Sequence, residues 1–213
     1  MGNHKLLLLV FLSTLCTQAN AYDSKDGNVT ASIGSFIYKS NFNGTDSGVK
    51  SPVRGGFGIL VGGDISDKAS LEVGLFHMNK PFLRQDNDLS IVEESQLIHI
   101  SMGYRRWLNP YLSALVGFYS AYPMDEPKVV HNDFPTNINM DTSARDLTEY
   151  GFDFSIQSEL WHDHFISIIA DARYSLSVTS KVHEQADHYG VLLAIRYLVQ
   201  EKIPNNDSLR SPK

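Results

Sequence analysis

The chain has 213 residues, 42% hydrophobic and 20% charged, with 18 Lys and Arg against 24 Asp and Glu for a formal net charge of −6. That length suits one domain with a sizeable core. An aromatic content of 11% at so modest a charge excludes a disordered chain, and an acidic balance without any basic run excludes nucleic acid as a partner. No run of about 18 apolar residues occurs, which excludes a helical membrane protein. A transmembrane β-barrel, apolar only at every second residue, passes the same test.

Residues 1–21 read as an export signal rather than as structure. Lys5 gives a short positive start, Leu6 to Leu12 form an apolar stretch too short to span a bilayer, and Ala19-Asn20-Ala21 supplies a small-x-small cleavage pattern. Cleavage is expected after Ala21. The single cysteine, Cys16, lies inside this segment behind the large Leu15, which does not fit lipidation. A mature chain without cysteine must be stable without disulfides, and that suits the bacterial envelope. The Asn-x-Ser/Thr triplets at Asn28, Asn43 and Asn206 are then read as chance matches.

From residue 28 onward the chain alternates with period two. Strands are expected at 28–39, 53–63, 69–78, 91–107, 111–122, 147–160, 165–179 and 187–199. In the sixth, Tyr150, Phe152, Phe154, Ile156 and Leu160 share one face, while Gly151, Asp153, Ser155, Gln157 and Glu159 share the other. The seventh repeats this with Ile166, Ile168, Ala170, Ala172 and Tyr174 against Ser167, Asp171, Arg173 and Ser175. Connections alternate in length. Short ones fall at 64–68, 108–110 and 161–164; longer ones, rich in Asn, Asp, Gly, Ser and Pro, fall at 40–52, 79–90, 123–147 and 180–186.

This rhythm predicts an all-β fold, an eight-stranded antiparallel up-and-down transmembrane β-barrel over 22–199 with a short polar tail at 200–213. Both termini and the short turns are expected in the periplasm, and the four long loops outside the cell. A secreted barrel with its apolar face inward would alternate too. Glycine separates the two. Gly34, Gly56, Gly58, Gly62, Gly74, Gly103, Gly117, Gly151 and Gly190 all sit on the polar parity, with Gly55 and Gly63 the exceptions. Glycine weakens a strand on a solvated face but fits the narrow interior of a small barrel. The apolar parity, meanwhile, carries no charge at its central positions, as lipid demands.

The polar parity then points Arg54, Glu72, Glu93, Arg105, Asp153, Glu159, Asp171, Arg173 and Arg196 into the lumen, where charges have to pair or stay wet. Folding the sixth and seventh strands about position 163 sets Asp153 opposite Arg173 and Ser155 opposite Asp171. Trp107 with Tyr111, and Trp161 with Phe165, lie beside the short turns; Tyr38, Phe82, Tyr122 and Tyr150 lie near the long loops. These are two expected aromatic girdles.

With these features the chain resembles the small eight-stranded outer-membrane barrels of the OmpX, OmpW and OmpA-membrane-domain kind, over about residues 22–199. The most specific element is the last strand, His188-Tyr189-Gly190-Val191-Leu192-Leu193-Ala194-Ile195-Arg196-Tyr197. It resembles the polar-x-Gly-x-x-hydrophobic-x-hydrophobic signal read by the family's assembly machinery. On that pattern His188 is the polar position, followed by Gly190, Leu193 and Ile195. Family strands commonly end on an aromatic residue, whereas here a polar tail continues. The resemblance implies an outer-membrane location, with outer-membrane lipids, lipopolysaccharide and the assembly machinery as partners and no nucleic acid.

Three further clusters carry residues of catalytic or metal-ligating type. His99-Ile100-Ser101 places a base and a nucleophile on one strand face, but inside the barrel and without an identifiable acid. His162-Asp163-His164 lies in a turn without a third ligand. Asp125, Glu126, His131 and Asp133 share a proline-rich loop. No cofactor and no metal are expected. The expected function is a non-enzymatic one, structural in the envelope or interacting at the surface through the long loops with an extracellular ligand of unknown identity. A narrow transport barrel for small or hydrophobic solutes is the alternative, and a lipid A-modifying enzyme the third reading.

Overall fold

The computed structural model describes residues 22–41, 51–135, 138, 140–146 and 148–200. The expected export signal, and the tail beyond Gln200, lie outside the described residues. The elements in chain order are β1 (Val29–Ser40), β2 (Arg54–Ser66), β3 (Ala69–Asp86), β4 (Leu89–Asn109), β5 (Leu112–Pro123), β6 (Lys128–Asn132), a 3-10 turn at Ser143–Arg145, β7 (Glu149–Asp163), β8 (Ile166–Ser177), β9 (Glu184–Gln185) and β10 (His188–Gln200).

Eight of these strands close a barrel in the order β1-β2-β3-β4-β5-β7-β8-β10, every pair antiparallel. Closure is made by β1 against β10, from Thr30↔Leu198 to Ser40↔His188. A sheet in lipid has to close this way, because unpaired backbone groups in hydrocarbon cost several kcal/mol each. Register shifts interrupt four seams, at Val29/Thr30, Asp64/Ser66, Trp107/Asn109 and Glu159/Trp161. All four lie at the end that carries the short turns, as bulges at barrel rims do.

The alternation fixes which face looks where. Ile33, Met102, Val116, Phe118, Phe154, Ile156 and Ile195 point outward and are exposed. Ser32, Glu72, Ser101, Arg105, Asp153, Asp171 and Arg173 on the other parity are buried. Five inward glycines, Gly56, Gly58, Gly74, Gly151 and Gly190, are seats for aromatic rings. A Cβ added at Gly190 would meet Phe36 Cε2 at 2.7 Å, and one at Gly151 would meet Tyr119 Cε1 at 2.4 Å. At Gly55 and Gly63, the two exceptions to the glycine parity, an added Cβ would meet nothing within 4 Å. They face outward, where no ring needs a seat.

The loop end differs from expectation. The stretch 79–90, read as a loop for its Asn, Asp and Pro content, continues β3 and β4 as one hairpin that turns at Asn87 and Asp88. Pairing from Asn79↔Gln96 to Asp86↔Leu89 outweighs the local loop composition, and Asn87 takes the positive φ of 53° that the turn needs. Two of the other expected loops contribute short strands to it. β6 pairs with β4 from Ile91↔Asn132 to Glu94↔Lys128, and β9 pairs with β3 at Leu83↔Gln185 and Arg84↔Glu184. The loop end therefore carries a four-stranded sheet, β6-β4-β3-β9.

Candidate functional site

The lumen is filled in three layers. At the turn end, the segment before β1 folds under the barrel mouth. Tyr22 is buried and donates from its hydroxyl to Asp64 Oδ2 at 2.7 Å. Its ring lies against Trp107, with centroids 5.3 Å apart, and under the Arg196 guanidinium at 4.3 Å. Arg196 also pairs with the buried Glu159. The void left among these groups is about 20 Å³, room for one water.

The middle layer is a charge network. Arg105 binds Glu72 through two bonds, Nε to Oε2 at 2.7 Å and Nη2 to Oε1 at 3.0 Å, and reaches Asp171 Oδ2 at 2.8 Å. Arg173 donates to Asp153 Oδ2 at 2.9 Å, Glu72 Oε1 at 3.0 Å, Ser101 Oγ at 2.9 Å and Asp171 Oδ1 at 3.3 Å. Its guanidinium stacks 4.7 Å from the centre of the Phe76 ring. These side chains are nearly inaccessible, so pairing, not water, is what holds them charged.

Above the network lies an aromatic and aliphatic layer of Phe36, Tyr38, Phe76, Met78, Phe82, Tyr119 and Leu192. One buried ion pair crosses it. Lys80 Nζ donates to Glu149 Oε1 at 2.6 Å, and the Tyr119 hydroxyl donates to the same oxygen at 2.6 Å.

A cap closes the loop end. Buried Glu93 accepts from the Thr142 backbone N–H at 3.0 Å, the Thr142 hydroxyl at 2.8 Å and Arg145 Nε at 2.8 Å. Glu184 accepts from the Ser143 hydroxyl at 2.7 Å, and Lys181 bridges to Asp141 at 3.0 Å. The segment 141–146 is thereby tied to β4 on one side and to the β8–β10 connection on the other, with Ala144 pressed into the apolar layer. The hydrogen bond from Lys181, with Arg84 and Arg145 nearby, holds the Asp141 carboxyl below its ordinary range, while Glu93 raises the Arg145 guanidinium.

The expected lumen residues sort accordingly. Glu72, Arg105, Asp153, Asp171 and Arg173 form one network; Glu159 and Arg196 form a separate pair at the turn end. Arg54 is not in the lumen. It sits half-exposed at the loop-end rim, paired with Glu94, because β2 begins there and its first side chain clears the wall. The expected pairing about position 163 is two residues out. Asp153 faces Ser175, Ser155 faces Arg173 and Gln157 faces Asp171, since the strands turn at His164 and Phe165 with a bulge beside Glu159. Arg173 still reaches Asp153 because a diagonal neighbour is within range of so long a side chain.

Among the girdle residues Tyr111, Trp161 and Phe165 at the turn end and Tyr122 and Tyr150 at the loop end are exposed on the outer face. Trp107, Tyr38 and Phe82 are corrections. All three share the inward parity of their strands and are buried, with the Trp107 indole donating to Ser70 Oγ at 3.3 Å. Of the last-strand residues, His188 and Gly190 face inward and Leu193 and Ile195 outward.

His99 does have an acid. Its Nε2 lies 3.0 Å from Asp153 Oδ2, with the ring stacked on Tyr119. Ser101 is held by Arg173 instead, not by His99. In the other two clusters, His162 Nδ1 meets Ser167 Oγ at 2.7 Å and His131 Nε2 meets Asp133 at 2.7 Å. No three His, Cys, Asp or Glu side chains converge to hold a metal ion among the described residues. Sequence reasoning missed Tyr22, Lys80, Tyr119 and Glu149. Lys80 fell in an expected loop, and Tyr119 was hidden because its inward parity was read as polar.

A closed eight-stranded barrel with an apolar exterior and a buried polar lumen is a membrane-spanning barrel. Neither protein-family models nor curated protein sequences match this chain. Solved structures do. The outer-membrane protein OprG from Pseudomonas aeruginosa is 10% identical with a TM-score of 0.51, over 85% of this chain and 100% of that one. Ail, the attachment invasion locus protein of Yersinia pestis, is 13% identical with a TM-score of 0.45, over 81% and 99%. AlkL, solved in lipid bilayers, is 11% identical with a TM-score of 0.41, over 87% and 96%. The chain thus has the fold of an outer-membrane β-barrel such as OprG.

Proposed function

We propose that this barrel is non-enzymatic and does not conduct, and that it works at the cell surface through its loop-end sheet, which faces outward from the cell. The carrying observation is that sheet. Among the described residues β6 pairs with β4 alone, leaving one open backbone edge. Such an edge adds a further strand. Val129 and Val130 on β6 are exposed; the exposed Asp125, Glu126 and Asp133 flank β6 in the chain, the exposed Asp86 and Asp88 lie at the adjoining β3–β4 turn, and Lys128 is the one Lys or Arg on β6. An extended segment with basic and apolar residues in alternation suits that edge.

The packed lumen supports the same reading. Ion pairs, an aromatic layer, a cap and the Tyr22 stopper lie in series along it. The geometry of His99 and Ser101 gives no support to the lipid A-modifying alternative, since the two residues have different partners.

The test uses the full-length barrel in lipid vesicles and a fluorescent peptide of alternating Lys and Val. Binding should be saturable, and should fall at least tenfold with Val130→Lys or when the peptide is interrupted by proline. Equal binding of the proline-interrupted peptide, or stepwise ion conductance across a planar bilayer, would refute the proposal.

A further inference from the structure

The segment 22–28 crosses the turn-end mouth and runs directly into β1. It is fastened to the end of β2. The Gly27 N–H donates to the Asp64 carbonyl at 2.8 Å, and the Asp64 N–H to the Asn28 carbonyl at 2.8 Å. The Lys25 N–H donates to Asp64 Oδ2 at 3.1 Å, and the Ser24 hydroxyl to the Ser66 carbonyl at 3.1 Å. Tyr22 reaches further. Its ring packs against Trp107 of β4 and under Arg196 of β10, whose guanidinium also lies 5.5 Å from the Trp107 ring. In the wall order β4 and β10 stand on opposite sides of the lumen. One short segment thus ties β1, β2, β4 and β10 together.

Those ties fall on the least tethered seam of the wall. Every other seam joins strands successive along the chain, whereas the β1–β10 seam joins the first wall strand to the last. Once parted, these two re-pair only by closing a loop of the whole barrel, and the entropic cost of closure grows with loop length. The seam is also interrupted at its turn end, by the register shift at Val29/Thr30 where the segment enters β1. Arg196 lies close to that shift, matched with Ser32.

We infer that the segment 22–28 is a staple on the β1–β10 seam, which sets how slowly the finished barrel comes apart. Parting the seam carries Arg196 away from Tyr22, while the phenol bond to Asp64 Oδ2 at 2.7 Å holds Tyr22 on the β1–β2 side. Burial and the Asp64 carboxylate keep that phenol above its ordinary range, so it stays a donor. The pocket for Tyr22 has walls from β2, β4 and β10, and it exists only after the barrel has closed. Contacts made after the transition state slow unfolding and leave the folding rate alone. The staple sits at the opposite end from β6 and acts independently of strand addition there.

Refolding of the full chain into phosphatidylcholine vesicles and its unfolding in urea, both followed by the heat-modifiable gel shift, test it. Tyr22→Phe removes only the bond to a charged acceptor and should speed unfolding about tenfold. Tyr22→Ala removes the ring as well and should speed it further, with both variants folding at the parent rate. Asp23→Asn loses only an exposed pair with Lys25 at 3.4 Å and should change neither rate. A crosslink localises the effect. In a Cys16→Ser background, a disulfide between Ile33→Cys and Ile195→Cys, matched across β1 and β10, should abolish the acceleration by Tyr22→Ala, and reductant should restore it. A disulfide between Ile156→Cys and Ala172→Cys, matched across β7 and β8, should leave the acceleration in place. All four positions point outward, so neither crosslink disturbs the lumen. Slower folding at an unchanged unfolding rate, unchanged rates throughout, or acceleration that survives the β1–β10 crosslink would each overturn the assignment.

Discussion

Replacing Arg173 with Met removes the centre of the lumen network and little of its volume. The Arg173 side chain is 1% exposed and donates to Asp153, Asp171, Glu72 and Ser101. In the substituted barrel three carboxylates would face Arg105 alone, with His99 beside Asp153. Breaking a buried pair by removing one partner costs about 3–5 kcal/mol, whereas the same pair in contact with water would contribute about 0–1 kcal/mol. The gap between these values makes the measurement decisive. Urea unfolding of the barrel in phosphatidylcholine vesicles, followed by tryptophan fluorescence, should show a lower midpoint for Arg173→Met at an unchanged slope. The loss should be about 3–5 kcal/mol. Arg173→Lys keeps the charge but not the several directed bonds and should fall between the two. Adding Asp171→Asn to Arg173→Met relieves part of the imbalance, so the pair should be less than additive by about 0.5–3 kcal/mol. A loss below about 1 kcal/mol for Arg173→Met would mean that the lumen is hydrated, and the argument for a sealed interior would fail.

Two further outcomes follow from the geometry. Trp107 is turned into the barrel and Trp161 is exposed on its outside, so in single-tryptophan variants brominated lipids should quench Trp161 strongly and Trp107 hardly at all; comparable quenching would show that the parity assignment at the turn end is wrong. The cap should be acid-sensitive, because the Asp141 carboxyl is held below its ordinary range by Lys181, Arg84 and Arg145. A depressed carboxyl contributes fully above its unfolded value of about 3.9 and loses that contribution as pH falls through the lower folded value. Amide protection factors at 141–146, corrected for the intrinsic exchange rate at each pH, should therefore hold from pH 7 down to about pH 4 and fall below it, and opening between pH 7 and pH 5 would refute the role given to Asp141.

Much of this architecture was legible in the sequence, because a barrel wall obeys a period of two and lipid punishes every violation on one face. Parity alone assigned Glu72, Arg105, Asp153, Asp171 and Arg173 to the lumen, set the glycines against them, and singled out Gly55 and Gly63 as exceptions that do point outward. The eight wall strands lie where alternation put them, to within a few residues at most ends. Trp107, Tyr38 and Phe82 share that inward parity and are buried, although aromatic type and a place near a strand end also fit a girdle.

What alternation does not contain is the distance along a neighbouring strand. The two-residue error between β7 and β8 arose from a turn and a bulge, and only pairing reveals which carboxylate each arginine meets. For the same reason His99 showed no acid in the sequence, while Asp153, 54 residues away, bonds to it across the lumen. The loop-end sheet lies still further from sequence reasoning. Residues 79–90 have the composition of a loop and become strand because β3 and β4 continue to pair with each other. Period and polarity, which are local, determined the wall and its two faces; register and pairing, which are not local, decided the network, the cap and the free edge.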